Sequence, residues 1–212
     1  MSNAIDANSD LHIDKLESGS HSYDAVSTPR YTARYTAKDQ LKDGTVVIVR
    51  AIRSTDKDLL QQIMRDVSAE SRYFRFFSAK NRLTDKELQY FTEIDFDSHI
   101  ALIVSLCDEA NTPIAVGRFI KGCTPDLGAS GAELALLVNE NYQRQGLGSI
   151  LLNHLANIAV TKGVSEFVCY IMTDNSKMLN FLRHSKYAIS QRHEISSVYR
   201  LSVDLMDKSG AA

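Results

Sequence analysis

Cysteine is scarce, and its spacing is uninformative for pairing. Cys107, Cys123 and Cys169 form an odd set without a C-x-x-C pair, which excludes a disulfide framework and a structural zinc site and makes a reducing, cytoplasmic compartment the expectation. His99, His154 and His193 are scattered without ligand spacing, so no metal is expected. No apolar run approaches the roughly 20 residues that cross a bilayer. The amino terminus, Met1-Ser2-Asn3-Ala4-Ile5-Asp6, lacks the basic region and apolar stretch of a signal peptide. A block of Lys and Arg is also missing: 24 bases against 26 acids leave a net charge of -2, which disfavours a nucleic-acid partner. What remains is a chain of 212 residues, 44% apolar, enough for one large domain or one domain with an extension.

Residues 1–40 are expected to be a disordered or loosely packed extension. Their first part carries Asp6, Asp10, Asp14, Glu17 and Asp24 against the single base Lys15, with little apolar surface to offset the entropy of ordering. The folded body is expected over 41–206, with a flexible end over 207–212. Lys42-Asp43-Gly44-Thr45 reads as a turn before the β-branched strand Val46 to Arg53. Ser54-Thr55-Asp56 caps a helix carrying Leu59, Leu60, Ile63 and Met64. A second helix covers Ala69 to Phe77, and Thr84-Asp85-Lys86-Glu87 is a capping box for a third. His99 to Cys107 and Pro113 to Lys121 read as an antiparallel hairpin. Beyond them lie a strand from Glu133 to Val138, a helix from Gly146 to Lys162, and a strand from Glu166 to Ile171, a unit that implies parallel neighbours. A helix capped by Asp174-Asn175-Ser176 follows, then a closing hairpin of Tyr187 to Glu194 and Val198 to Asp204. The fold class is α/β: a mixed central sheet, antiparallel at its start and parallel at the strand-helix-strand unit.

Chemistry concentrates where the strand ending Leu136-Leu137-Val138 passes through a polar loop into Gln143-Arg144-Gln145-Gly146-Leu147-Gly148-Ser149 at a helix start. Unpaired N–H groups and the positive end of the helix dipole make this an anion site; glycine lets a phosphate approach, and Arg144 adds a charge-assisted contact. A P-loop is excluded because no Gly-Lys-Ser/Thr follows. A dinucleotide fingerprint begins at Gly146 and Gly148 but has Leu151 in place of its third glycine. Glu166, at the spacing of a ribose-binding acid, opens its strand rather than ending it.

Gln143-x-x-Gly146-x-Gly148 after an apolar strand ending in Val resembles the acetyl-CoA motif of the GNAT superfamily of N-acetyltransferases. Within it the chain is most similar to the Pat-type protein lysine acetyltransferases, at Leu41 to Thr45, Ser68 to Phe77, Leu83 to Leu88 and Ala132-Glu133. The resemblance runs from about Val46 to Asp204. It implies a GNAT-like fold and acetyl-CoA as co-substrate. The pantetheine arm would lie along Leu136, Leu137 and Val138, and the pyrophosphate on the amides of Gln143, Arg144, Gln145, Gly146, Leu147, Gly148 and Ser149. Asn175 would make a further cofactor contact, with helix capping as its alternative role. It also implies Glu133 as general base, since a lysine amine with pKa about 10.4 must lose a proton before attacking a thioester.

One departure from the family stands out. Many members place a tyrosine general acid where this chain has Leu182, and a Gly-Phe where it has Lys186-Tyr187. Tyr170 and His184 are the nearby substitutes, each more simply a sheet or helix-end residue. The expected acceptor is a protein lysine, with a small amine such as a polyamine or antibiotic as the alternative. A non-catalytic acyl-CoA sensor and, from the Arg72 to Phe77 cluster of bases and aromatics, an RNA-associated protein are the rival readings. A homodimer is compatible with all of them.

Overall fold

Alternation of apolar residues with period two in Val46 to Ala51 yields a strand with one buried face, on which Val47, Val49 and Ala51 are covered. The computed structural model describes residues 33–123, 128–195 and 197–207. The elements in chain order are β1 (Thr36–Gln40), β2 (Val46–Ala51), α1 (Lys57–Asp66), α2 (Ala69–Phe76), α3 (Asp85–Thr92), β3 (His99–Leu106), β4 (Pro113–Lys121), β5 (Gly131–Val138), α4 (Leu147–Thr161), β6 (Glu166–Met172), α5 (Ser176–Arg183), β7 (Ala188–Ile195) and β8 (Val198–Asp204). All strands join one mixed sheet in the order β1-β2-β3-β4-β5-β6-β8-β7. β5 and β6 are parallel and the other neighbours antiparallel. The expected α/β class and mixed sheet are thus observed.

Helices cover the sheet on two sides. One core gathers Ile100, Leu102 and Phe119 of the sheet with Leu147, Leu151 and Leu155 of α4 and Leu182 of α5. The other gathers Leu60, Ile63 and Met64 of α1 with Leu88 of α3 and Ala101, Ile103 and Val116. β3 serves both cores, which is why its sequence is a continuous apolar run rather than an alternating one. Gly117 in β4 sits under α4, where a Cβ would lie 2.8 Å from Leu136 Cδ2 and 3.0 Å from Leu155 Cδ1. A side chain at that position would push the helix off the strand that carries the site.

α1 is joined to β2 by a buried ion pair. Arg50 donates Nη1 to Asp56 Oδ2 at 2.7 Å and Nη2 to Oδ1 at 2.9 Å, and the Arg53 N–H donates to Oδ2 at 2.8 Å. Asp56 is 4% exposed, so its charge is matched rather than solvated.

The start of the body differs from expectation. The sheet begins at Thr36, five residues before Leu41 as read from residue numbers, because Thr36 to Gln40 pairs along β2 from Thr36↔Arg50 to Gln40↔Val46. No β1 side chain is buried, which removes the apolar signature that sequence reading depends on. The strand is held by ladder bonds and by a polar clamp to α4: Tyr35 Oη lies 2.5 Å from His154 Nδ1, and His154 Nε2 lies 3.3 Å from Asp39 Oδ2. Residues 1–32 of the expected extension and 208–212 of the expected flexible end lie outside the described residues. No described helix is long and apolar enough to cross a membrane.

Candidate active site

β5 and β6 begin as neighbours and then part. Their pairing runs from Gly131↔Glu166 through Ala132↔Phe167 to Glu133↔Val168, while β5 continues to Val138 along β4 and β6 continues to Met172 along β8. The phase of β5 follows from two bonds. The Ser130 carbonyl accepts from Ser165 N–H at 2.8 Å on the β6 side, and Asn139 N–H donates to the Ile114 carbonyl at 2.9 Å on the β4 side. Because backbone groups alternate along a strand, those of Leu134, Leu136 and Val138 face the side where β6 has departed. These polar groups are placed to be paired by an extended ligand lying in the gap.

Leu136 and Val138, which the resemblance assigns to the cofactor, share this phase. Leu137 does not share it: its backbone faces β4, and its side chain is 6% exposed within the second core. Leu137, which the resemblance also assigns to the cofactor, is thus turned away from the gap by the two-residue period of the strand.

The loop beyond β5 ends at the helix start where the sequence leads one to expect an anion site. Gly146 is the N-cap of α4 with φ +89°, and Arg144 has φ +61°, a conformation that is uncommon outside glycine. Ile150 N–H is satisfied by the Gly146 carbonyl at 3.0 Å. The amides of Leu147, Gly148 and Ser149 precede it in the first turn, where no intrahelical acceptor exists. The first turn of α4 contains no acid, so nothing on it opposes an anion. Arg144 and Ser149 are exposed; Leu147 is buried and offers only its backbone. Gln143 Nε2 donates to the Val138 carbonyl at 3.2 Å, which ties the loop to the end of β5. The two glycines differ in purpose. Gly146 answers a backbone requirement, whereas a Cβ on Gly148 would stand 3.2 Å from Phe181 Cε2, so its smallness seats α5 against α4.

Lys42 is a residue that the motif reading missed. Its N–H donates to the Gln145 carbonyl at 2.9 Å, and its Cγ would lie 3.7 Å from a Cβ at Gly146. The β1–β2 turn therefore buttresses the anion loop and brings an exposed ammonium beside it. A Lys-Asp-Gly turn in the sequence signals only chain reversal, so no local signal could have linked it to a loop about a hundred residues away.

Glu133 stands at the last pair before the strands separate, half-buried, on the face that carries α2. Cys123 Sγ lies 3.6 Å from Glu133 Oε2, and Glu133 is the acidic field felt by Arg75 of α2. α2 is fixed on both sides. Ser68 donates Oγ to Glu140 Oε1 at 2.6 Å, and Arg72 Nη1 donates to the Met64 carbonyl at 2.9 Å. The base-and-aromatic cluster is thus a wall beside Glu133, with Tyr73 and Phe77 exposed at 41% and 44%.

Other candidates resolve by position. Asn175 caps α5, its side chain accepting from Met178 N–H at 3.1 Å, which leaves its amide NH₂ for other contacts. Leu182 is wholly buried, and His184 is a helix-end residue with Nδ1 2.8 Å from the Asn180 carbonyl. Tyr187 is buried, and burial pushes its hydroxyl up to about 12. Tyr170 follows Val168 by two residues on β6 and so shares the face of Glu133, on the strand that borders the gap.

A parallel strand pair that splays open toward the amide-lined start of a helix forms a slot for an extended ligand with an anionic group at one end. The profile of the Acetyltransferase (GNAT) family matches residues 63–186, and the chain belongs to that family of acetyl-CoA-dependent acetyltransferases. The acetyltransferase Pat of Mycolicibacterium smegmatis is 30% identical over 140 residues, 66% of this chain and 40% of that protein. An acetyltransferase of Pseudomonas aeruginosa is 24% identical over 129 residues, 60% of this chain and 67% of its own length. Among solved structures, the GNAT domain of S. lividans PAT superposes with a TM-score of 0.75 at 32% identity, covering 82% of this chain and 99% of that one.

Proposed function

We propose that the protein transfers the acetyl group of acetyl-CoA to a primary amine, a protein lysine ε-amine, by direct attack within one ternary complex. The observation that carries this reading is Glu133 at the divergence of β5 from β6, where the thioester end of a ligand lying along Leu136 and Val138 would meet an amine arriving past α2. Glu133, directly or through one water, takes a proton from the ammonium, and the neutral amine then attacks the thioester carbonyl. A backbone N–H of the gap, near Leu136, faces the developing oxyanion. The amides of Gln143 to Ser149, Arg144 and the Lys42 ammonium hold the pyrophosphate, with Asn175 at the opposite wall.

A dedicated acid is unnecessary, because a thiol of pKa about 8.5 departs tolerably as its anion. Cys169 is buried, with its thiol pushed up to about 12 by burial and by Glu133, which supports direct transfer over a route through an acyl group on Cys169. The similarity to the Pat proteins supports lysine over a small amine. The free cysteines support a cytoplasmic setting.

Incubation with acetyl-CoA and a lysine-containing protein extract, comparing wild type with Glu133→Gln, tests the reading. Wild-type thiol release with lysine acetylation, abolished in the variant, is the expected result. Equal thiol release by the two proteins overturns the assigned base.

A further inference from the structure

The face of the sheet that carries α2 holds two arginines, one buried and one partly exposed, neither of them in an ion pair with a carboxylate among the described residues. Arg118 of β4 is 5% exposed, and its guanidinium lies over the Phe91 ring at 4.0 Å from the centroid. Its Nη1 is 3.3 Å from His99 Nε2, a neutral partner. Arg75 of α2 stacks on Phe76 at 5.1 Å and lines the same cleft, with Ala135 and Leu137 of β5 as its floor.

Among the described residues neither guanidinium forms an ion pair with a carboxylate. Burial and then the Arg75 charge push the Arg118 pKa down, with Tyr90 opposing. Burial also lowers that of Arg75, with Glu133 opposing. Burial and the Arg118 charge hold His99 down at about 4, against the pull of Asp95, so His99 adds no third cation. A buried cation with a second cation beside it costs stability unless an anion joins them, and such arrangements mark binding sites.

We infer that Arg75 and Arg118 form a carboxylate subsite for the acceptor, selecting amines that carry a carboxylate within reach of the reacting nitrogen. The inference rests on the transfer reading above and narrows its acceptor class. The cleft between the arginines has about 20 Å³ of free space, room for one oxygen atom in place of a water. One carboxylate oxygen entering it is lined by both arginines. Ala135 in its lining is two residues from Glu133 along β5 and on the same face, so an acceptor anchored there lies on the side of the base.

The carboxylate can come from a glutamate near the target lysine or from a small amino-carboxylate, and the test separates them. The full-length protein and acetyl-CoA are assayed with two matched pairs: single-lysine peptides with Glu or Gln two residues away, and Nα-acetyl-lysine with its carboxamide. The charged member of one pair is expected to have a kcat/KM about tenfold higher, and the pair that shows it identifies the source. Arg75→Gln and Arg118→Gln each bring the charged member down to its amide. The half-exposed position of Arg75 keeps that variant folded should Arg118→Gln fail to fold.

A second reading does not depend on turnover. Sodium acetate, compared with sodium chloride at equal ionic strength, is expected to raise the unfolding midpoint of the wild type but not of Arg75→Gln. An active enzyme that prefers neither charged acceptor, or a wild-type midpoint indifferent to acetate, overturns the subsite. Inactivity of the wild type toward every acceptor with the acetate shift intact counts against the transfer reading alone.

Discussion

Glu133 faces Val168 across the last paired position of the two parallel strands. One residue further along, the ladder has ended and the strands separate. The carboxylate therefore sits where the sheet changes from closed to open, and the backbone that would align a ligand begins immediately beyond it. A general base placed there addresses the end of the gap without filling it.

Glu133→Gln keeps the shape and removes the proton acceptor. The expected outcome is a fall in kcat of about 10²- to 10⁴-fold with the acetyl-CoA Kd unchanged within about twofold, measured by steady-state thiol release and calorimetry.

Gly146 and Gly148 fail differently. Gly146→Ala forces a side chain onto a φ of +89°, costing about 1–2 kcal/mol in the loop conformation that presents the amides and weakening acetyl-CoA binding by about tenfold. Gly148→Ala meets Phe181 instead, so its defect is relieved by Phe181→Leu. Calorimetry on the two single variants and the double variant decides the assignment.

Lys42→Met removes the ammonium beside the anion loop but leaves the backbone bond to Gln145. Binding of acetyl-CoA is expected to weaken about threefold at low salt and to lose part of its salt dependence. Titrations at two ionic strengths check this.

Asp56→Ala leaves Arg50 without its bidentate partner and frees the start of α1. A loss of about 3 kcal/mol in unfolding free energy is expected from denaturant melts. Because α1 forms the second core, activity falls with stability rather than separately.

His99 is held at about 4, below the ordinary value near 6.5 that it regains on unfolding. A depressed folded-state value means the unfolded chain takes up the proton first. The contribution of a neutral His99 is complete above about pH 6.5 and is lost as the pH falls toward 4, at about 1.4 kcal/mol per unit. Asp95, at about 2, titrates below that window. Unfolding free energies for wild type and His99→Gln between pH 7 and 4 should converge as the pH falls.

The period-two alternation of β2, the capping box at Thr84 and Glu87, and the glycine loop before α4 were legible because each is local: the interacting groups lie within a few residues. β1 was not legible, since a strand with no buried side chain carries no apolar pattern and exists through its partner. The breadth of α4 burial was likewise underestimated. Besides the stripe Leu147, Leu151, Leu155 and Ile158 at helical spacing, it covers Ile150, Leu152, Ala156 and Ala159, because α4 is packed on more than its sheet face.

The sequence by itself determined the family, the parallel strand-helix-strand unit and the glycine loop before α4, because each depends on residue types at short fixed spacing. Tertiary structure alone decided the remainder: that β5 parts from β6 after Glu133, that Lys42 joins the loop at Gln145, that Leu137 turns from the gap, and that Arg75 and Arg118 share one cleft. These are meetings between distant segments, and their position and charge balance depend on strand phase and helix packing that no local spacing encodes.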